Sequence, residues 1–381
     1  MERSVAQGGV SRRSFESGGL TFTVAGRSDD ADIRRLLRDN ELGGWVRLSL
    51  ERTPDAFSAD FGLSRSHAFV IAREHSTGET VGICERSVRD AFVGGEVRRM
   101  PYLGALRVAH AYRHRIRVLK GGFEAVRTLL AEPEDVPALT SITAGNKAAQ
   151  RVLCAGLPGM PIYRPCGELS TFALRTATRP MSGSVERATL DDLPAIAVLL
   201  QRVYRRHDFA PVWRTADFER LFAAGGLRVD DILIVRRGPG VTGCIAVWDQ
   251  GATKQTVVRG YAAGLASIRP LLNLLSPLTA MPRMPPVGSP LRQVYLSHVA
   301  VEDNDEAVFR ALLNAGLTLA RERGFDMALT GFASAHPFAD VVQQYRALRY
   351  RSELHRVHWH NPAPASDIAT GLVPHPEIAI M

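Results

Sequence analysis

The chain has 381 residues, is 45% hydrophobic and 23% charged, and carries a formal charge of +8. This composition excludes a largely disordered protein and leaves room for two domains. All of its 47 basic residues except Lys120, Lys147 and Lys254 are arginines, and guanidinium groups favour phosphate or carboxylate ligands. It has no apolar run of the about 18 residues that a membrane span needs.

The N-terminus and the cysteines argue for a cytoplasmic protein. Residues 1–19 have basic residues but no apolar stretch behind them, so we expect no secretory signal. The four cysteines are far apart and form no C-x-x-C pair. We therefore expect neither a disulfide framework nor a metal site.

The first half predicts alternating strands and helices. Leu20–Val24 alternates like a strand, and Asp29 and Asp30 precede a helix with Ile33, Leu36 and Leu37 on one face. The further predicted elements are strands at 67–73, 81–84 and 102–108, a basic turn at 112–120, a helix at 123–130, a strand at 139–144, a helix at 146–155 and a closing strand.

The second half repeats this order, and such a repeat predicts the architecture before the chemistry. Asp191-Asp192 follows Asp29-Asp30 by 162 residues, and the strand at 230–236 follows that at 67–73 by 163. Val81–Cys84 is matched with Val241–Cys244. After an insert at 249–290, the pattern resumes with a strand at 293–301, an acidic turn, a helix, a strand at 327–332, a helix at 339–348 and a closing strand.

The repeat defines the predicted domains. We expect a flexible N-terminus at 1–19, domains at 20–178 and 185–360, a linker at 176–184, and a tail at 361–381 that lacks helical periodicity. Long insertions in compact domains are often lids or binding loops. The insert at 249–290 is therefore interpreted either in that way or as packing between the two halves.

This order of elements resembles the GCN5-related N-acetyltransferase (GNAT) superfamily, here in the tandem form of some bacterial proteins, over about residues 20–360. The resemblance implies two α/β domains, each with a mixed, mostly antiparallel sheet flanked by helices. It also implies acetyl-CoA or another acyl-CoA as cosubstrate. In that family the fourth strand splays from the fifth, and the turn after it wraps the CoA diphosphate.

The resemblance places the cofactor in the first half. The backbone of Leu106, Arg107 and Val108 would polarise the thioester carbonyl. The turn that would hold the phosphates comprises Arg113, His114, Arg115, Ile116, Arg117 and Val118. It departs from the family pattern because Ile116 and Val118 stand at its glycine positions. The alternative is an exposed basic helix start without a ligand.

The second half predicts no CoA site. Its turn, at 301–308, has four carboxylates and no glycine, and carboxylates at a helix N-terminus would repel a diphosphate. Family members often have an Asn that touches the cofactor and a Tyr that protonates the CoA thiolate. By this resemblance the Asn is Asn146, in the first half, and the Tyr is Tyr345, in the second, where a core aromatic is the alternative.

Two residues are candidates for the base that takes the proton from the acceptor amine. Glu85 follows a strand and would accept a proton if partial burial raised its pKa; the alternative is a solvated surface glutamate. His110 follows the strand at 102–108 and has a suitable ordinary pKa; the alternative is pairing with phosphate or backbone. Three histidines stand at 355, 358 and 360, of which His358 and His360 alternate with Val357 and Trp359 as on one exposed strand face, and we expect no metal there.

Three functions remain. The main prediction is an acyl-CoA-dependent N-acyltransferase that modifies a small-molecule or peptide amine. The second is a catalytically inactive CoA-binding or sensing module, because a protein can keep a fold after the catalytic activity is lost. The third is an arginine-based nucleic-acid binder, which the modest basic excess and the lack of a stacking motif argue against. The sequence does not define the acceptor or the oligomeric state.

Overall fold

The computed structural model describes residues 14–130, 135–179, 184–275, 283–359 and 371–381. Their strands and helices form the predicted α/β architecture, a large, mostly antiparallel sheet with helices on both faces. The first half contains β1 (Ser14–Ser17), β2 (Leu20–Val24), α1 (Asp30–Asp39), β3 (Val46–Arg52), β4 (Ser66–Glu74), β5 (Thr80–Val93), β6 (Glu96–Val108), α2 (Ile116–Leu129), β7 (Ala138–Thr143), α3 (Lys147–Leu153) and β8 (Ile162–Arg175).

The second half repeats the series with two additions, α5 and the elements of the insert. It contains β9 (Val185–Arg187), α4 (Leu193–Tyr204), β10 (Ala210–Pro211), α5 (Thr215–Ala224), β11 (Ile232–Arg237), β12 (Gly240–Trp248), β13 (Lys254–Tyr261), α6 (Ala263–Leu275), β14 (Gln293–Val301), α7 (Glu306–Glu322), β15 (Met327–Ala333), α8 (Pro337–Gln343) and β16 (Leu348–His358).

Three element boundaries differ from the prediction. Strand β1 lies inside the segment expected to be flexible, because it pairs with β2 through Phe15 and Phe22. Helix α2 begins at Ile116 rather than at 123, because Val118 is buried one heptad before Ala125 and extends the apolar face. Helix α8 ends before Leu348, where β16 begins.

The two halves exchange their closing strands. The sheet order is β1-β2-β4-β5-β6-β7-β16-β8-β15-β14-β12-β11-β9. Strand β16 of the second half thus lies between β7 and β8 of the first, and β8 pairs with β15 of the second. The sheet is therefore continuous across both halves, and each half depends on the other for a neighbouring strand.

Helices cover each half of the sheet on both faces. In the first half, Val70 and Val126 belong to the cluster under α2, whereas Ile33, Ile71 and Ile83 belong to the cluster under α1. In the second half, α4 and α5 cover one face and α7 and α8 the other. The adjacent side chains of β4 alternate between the two faces, as a sheet between two helical layers requires.

The insert joins the two halves. Strand β13 pairs with β3 of the first half as a separate two-stranded sheet, in which Lys254 lies opposite Arg52. The interpretation as packing between the halves is thus confirmed for β13. The helix that follows, α6, leaves Ile268, Leu271 and Leu274 exposed.

The described end of the tail, residues 371–381, packs inside the molecule instead of extending from it. Asp208 donates its N–H to Val373 O at 3.0 Å, and Arg89 donates to Ile380 O at 2.6 Å. The Ile378 side chain lies against Gly331, where an added Cβ would meet it at 2.2 Å. Residues from both halves therefore hold this segment.

Two adjacent glycines of α2 test the packing of this helix on the sheet. An added Cβ on Gly121 would lie 2.4 Å from the ring of Phe22, which is fully buried, so Gly121→Ala should destabilise the protein by about 1–3 kcal/mol. At Gly122 the nearest atom is 3.9 Å away. Gly122→Ala should therefore be neutral or stabilising by up to about 1 kcal/mol. Denaturation midpoints of both variants test this packing, and equal midpoints would contradict it.

Candidate active site

The first half contains a splayed pair of parallel strands. Strands β6 and β7 pair only at Tyr102 and Leu139. Beyond Tyr102, β6 has one residue more than β5 opposite it, and Ala105 has a φ of 46°. This bulge re-aims the backbone at the point where the strands diverge. The residues Leu106 to Val108 follow the bulge, so they lie where the splayed strand was predicted.

The second half contains an equivalent splayed strand pair with a bulge. Strands β14 and β15 pair from Gln293 to Tyr295 and then diverge, and β14 has its extra residue at His298, with a φ of 53°. The two bulges make Ala105 and His298 equivalent. Arg107 and Ile83 then correspond to Ala300 and Cys244. The predicted match of Cys84 with Cys244 was therefore wrong by one residue, because the correspondence between the two halves depends on the positions of the bulges.

An apolar cleft lies between the splayed strand and α2. Its walls come from β2, β4, β5, β6 and α2, and they include Phe22, Cys84, Leu106, Val108 and Val118. The non-atom space between these walls, open solvent included, is about 320 Å³. Apolar clefts of this kind, with a few polar groups at the rim, are typical of ligand sites.

The start of α2, the helix whose Val118 and Leu119 line this cleft, presents basic side chains to solvent. Arg113, His114 and Arg117 are exposed, and the first turn of α2 has no acidic residue. Arg113 donates to Asn40 Oδ1 at 2.9 Å. Among the described residues neither Arg113 nor Arg117 has a carboxylate partner. The first N–H groups of a helix also lack intrahelical acceptors, so this position suits an anion.

Two other residues predicted for the cofactor have partners in the protein. Arg115 precedes α2, lies 3.6 Å from Glu74 and stacks over Tyr112. The Asn146 side chain is exposed and accepts the N–H of Ala149, so it caps α3.

Glu85 lies on the opposite face of the sheet, toward α1, since it pairs in register with Phe69. Arg52 donates to both of its oxygens, at 2.9 and 2.6 Å, and His67 Nε2 lies 2.6 Å from Oε1. Burial alone would raise the pKa of Glu85, but Arg52 and the bond to His67 outweigh it and hold the pKa below its usual range. Glu85 is therefore an ionised carboxylate in a buried network.

The sequence analysis missed the partners of Glu85 and a lysine near them. Lys254, on β13, donates to Ala379 O at 3.2 Å. Burial, followed by Arg52 and Arg89, lowers its pKa to about 7. Strands β3 and β13 bring these residues together from distant parts of the chain. No periodicity in the sequence indicates this position, because β13 does not alternate regularly between buried and less buried residues.

The remaining two predicted catalytic residues lie apart from this network. His110 is exposed, in a 3-10 turn directly after β6. Tyr345 packs in the cluster under α7, donates to Asn314 Oδ1 at 3.1 Å and lies under Arg179. Among the described residues, no hydrogen bond links Tyr345 to the first-half cleft, because α8 stays with the second half while β16 crosses to the first.

In the second half, carboxyl groups of the protein itself lie at the helix start and at the bulge. Asp305 accepts the N–H groups of Ala307 and Val308, so a carboxylate already caps α7. The Glu377 carboxylate, from the tail, accepts the N–H of His298 at 3.0 Å, at the bulge itself. The N–H of His298 at the second bulge is therefore already bound, whereas the first bulge has no such carboxylate among the described residues.

Among the described residues, no group of three or more His, Cys, Asp or Glu side chains is arranged to hold a metal. His355 and His358 lie on β16, and His360 is outside the described residues. No helix in the described part of the chain is both long and apolar enough to cross a bilayer.

The splayed strands, the bulge and the helix behind them define an N-acyltransferase fold of the GNAT type. The chain is similar to N-myristoyltransferase of Saccharomyces cerevisiae with bound myristoyl-CoA, with a TM-score of 0.60 and 10% identity over 93% of this chain and 86% of that one. It is also similar to a GCN5-related N-acetyltransferase from Sphaerobacter thermophilus, with a TM-score of 0.54 and 13% identity over 92% and 99%. No family model and no curated protein matches the sequence.

The contact of Glu377 predicts a pH effect on stability. Burial raises the pKa of this carboxyl from 4.5 to about 7. Between these values the folded protein binds a proton that the unfolded chain has lost, so this group's contribution to stability falls as the pH rises. Glu377→Gln removes the effect, so its melting temperature relative to wild type should rise from about pH 5 to about pH 8.

The exposed residue Glu219 supplies the control for this experiment. Glu219→Gln should leave a constant difference from wild type over the same range. A constant difference for Glu377→Gln as well would show that the carboxyl does not titrate in this way.

Proposed function

We propose that the protein is an acyl-CoA-dependent N-acyltransferase whose cofactor binds in the first half. The observation that carries this proposal is the difference between two equivalent bulges. The bulge at Ala105 adjoins an apolar cleft and a basic helix start, whereas the one at His298 holds Glu377 beside a helix capped by Asp305.

The cofactor contacts follow from this arrangement. Arg113, Arg117 and the first N–H groups of α2, from Ile116 onward, bind the diphosphate. His114 and Arg115 border the same site, and Asn146 contributes as the cap of α3. The pantetheine arm follows Leu106–Val108 along the apolar cleft. The acyl donor is acetyl-CoA or a longer acyl-CoA, as in the similar yeast enzyme, which binds myristoyl-CoA.

The N–H of Ala105 is the proposed donor to the thioester carbonyl. Its equivalent at His298 donates to a carboxyl oxygen of Glu377, which supports this assignment. The sequence analysis assigned this role to the backbone of Leu106, Arg107 and Val108. Internal symmetry favours a donor just before them.

The transfer itself needs an amine nucleophile. The amine attacks the carbonyl carbon, the tetrahedral intermediate is stabilised at the bulge, and the C–S bond breaks to release CoA as a thiolate, which takes up a proton from solvent. We assign Glu85 to the ammonium group of the acceptor and His110 to the proton that the amine loses. Tyr345 has no step in this scheme, because its contacts lie in the second half.

Paired arginine variants test the location of the cofactor. Arg113→Ala/Arg117→Ala should weaken CoA binding at least about tenfold in calorimetric titration, since two charge-assisted contacts are lost. The melting temperature should change little, because neither side chain has a carboxylate partner among the described residues.

The matched control removes the same charge from the second half. Arg206 and Arg237 are exposed and lie 3.7 and 3.9 Å from the acidic turn before α7. Arg206→Ala/Arg237→Ala should leave CoA affinity unchanged. Equal losses in both pairs would mean that the effect is one of net charge, and binding without thiol release in the presence of amines would favour the inactive sensing module.

Two variants test the polar residues assigned to the acceptor. Glu85→Gln should raise KM for the acceptor, because the ionised carboxylate that would hold its ammonium group is lost. His110→Gln should instead lower kcat with KM for the acceptor nearly unchanged, as loss of a base does. An unchanged kcat in His110→Gln would assign the proton to water or to another group.

A further inference from the structure

Arg107 is the charged residue of the predicted cofactor strand; it borders the apolar cleft, with its carbonyl oxygen toward Gly82, but its side chain lies on the other face of the sheet. It pairs in register with Ile83, and paired residues of antiparallel strands share a face. Ile83 packs under α1, whereas Leu106 and Val108 pack under α2. The Arg107 side chain is therefore on the face of Glu85.

Within the protein, the Arg107 guanidinium group has little compensation. Its Nη1 donates to the carbonyl of Leu106 at 3.0 Å, and its Nε is buried without a hydrogen-bond partner. Of the neighbouring charges, Glu85 favours the Arg107 cation but is engaged by Arg52, whereas Arg52 and Arg113 are further cations. Burial first, and then Arg52 and Arg113, lower the pKa of Arg107. No carboxylate among the described residues pairs with it.

The second half provides an internal comparison. The positions of Arg107 and Glu85 correspond to Ala300 and Ala246, which are fully buried in an apolar cluster. The architecture therefore does not need charged groups at this place. A largely buried cation that no carboxylate pairs with costs stability. Its presence in one half, where the other half has alanine, indicates a ligand.

We propose that the acceptor carries an anionic group, a carboxylate or a phosphate, close to its amine, and that Arg107 binds this group. The proposal rests on the N-acyltransferase function and specifies its substrate class. Arg107 keeps some solvent exposure, so a ligand can reach its guanidinium group. A planar guanidinium fork binds either anion through paired hydrogen bonds.

The spacing of the two groups limits the size of the acceptor. Ile83, opposite Arg107, and Glu85 are two residues apart on β5, which is about 6.6 Å along a strand. An ammonium group at Glu85 and an anion at Arg107 are then separated by a few bonds. This spacing favours a compact amino acid or a short aminoalkyl phosphate.

Matched acceptors test the proposal with the full-length protein. Amino acids are compared with their primary amides, and aminoalkyl phosphates with the corresponding amino alcohols. Wild type should favour the anionic member of one pair, and Arg107→Gln should reduce that preference, as a ratio of kcat/KM values, at least about tenfold. Because wild type and variant are compared on the same pair of acceptors, differences in amine basicity between the two acceptors cancel. The carboxylate and phosphate arms identify which anion is bound.

Two further measurements distinguish the outcomes. KM for the acyl-CoA should not change in Arg107→Gln, and Arg107→Lys should restore part of the preference. The control Arg220→Gln, at an exposed site on α5 in the second half, should behave as wild type. A change confined to KM for the acyl-CoA would place Arg107 in the cofactor site and overturn the proposal, as would equal use of neutral and anionic acceptors by wild type.

A binding experiment separates failure of this proposal from failure of the acyltransferase function. If wild type transfers an acyl group to no amine, the acyltransferase function fails, and the same compounds are titrated into the CoA-saturated protein. Binding of carboxylates or phosphates to wild type but not to Arg107→Gln supports the anion site without catalysis. Absence of such binding to wild type overturns it.

Discussion

The exchange of β8 and β16 is the constraint on which the rest of the structure depends. Because each strand completes the sheet of the other half, the two halves cannot be separated without breaking backbone ladders on both sides. This fixes β6 and β7 in relation to the second half, so that β13 can reach β3 and the tail can reach the centre. The splay between β6 and β7 opens beyond Tyr102, where the bulge at Ala105 redirects the β6 backbone while β7 stays paired with β16.

Within the continuous sheet, the two halves use the same backbone feature differently. Both fourth strands have a bulge with a positive φ, at Ala105 and at His298. In the second half the donor there is satisfied by Glu377 and the adjoining helix is capped by Asp305. A buried carboxylate whose pKa is raised to about 7 is a costly way to satisfy an N–H. That cost is consistent with a site whose ligand has been replaced by part of the chain.

The sequence predicted what depends on local pattern. The order of strands and helices, the basic turn of one half and the acidic turn of the other follow from periodicity and charge, and the fold confirms the order. The exchange of closing strands could not be predicted, because an apolar strand pairs equally well with either sheet. Glu85 was found as a candidate because it directly follows a strand in the sequence. Arg52 and His67, which determine its charge state, were not found, because they lie on other strands and only the strand register brings them close to Glu85.

The placement of charge across the sheet is what gives the first half its chemistry. The face toward α2 is apolar along Leu106 and Val108, which suits a pantetheine arm, and the face toward α1 has Glu85 and Arg107. Side chains alternate along a strand, so one short stretch of β6 and β5 presents different groups on its two faces. The bulge at Ala105 breaks that alternation once and brings the backbone between the two faces. In the proposed reaction, a thioester on one side and an amine on the other would meet at the splay between β6 and β7.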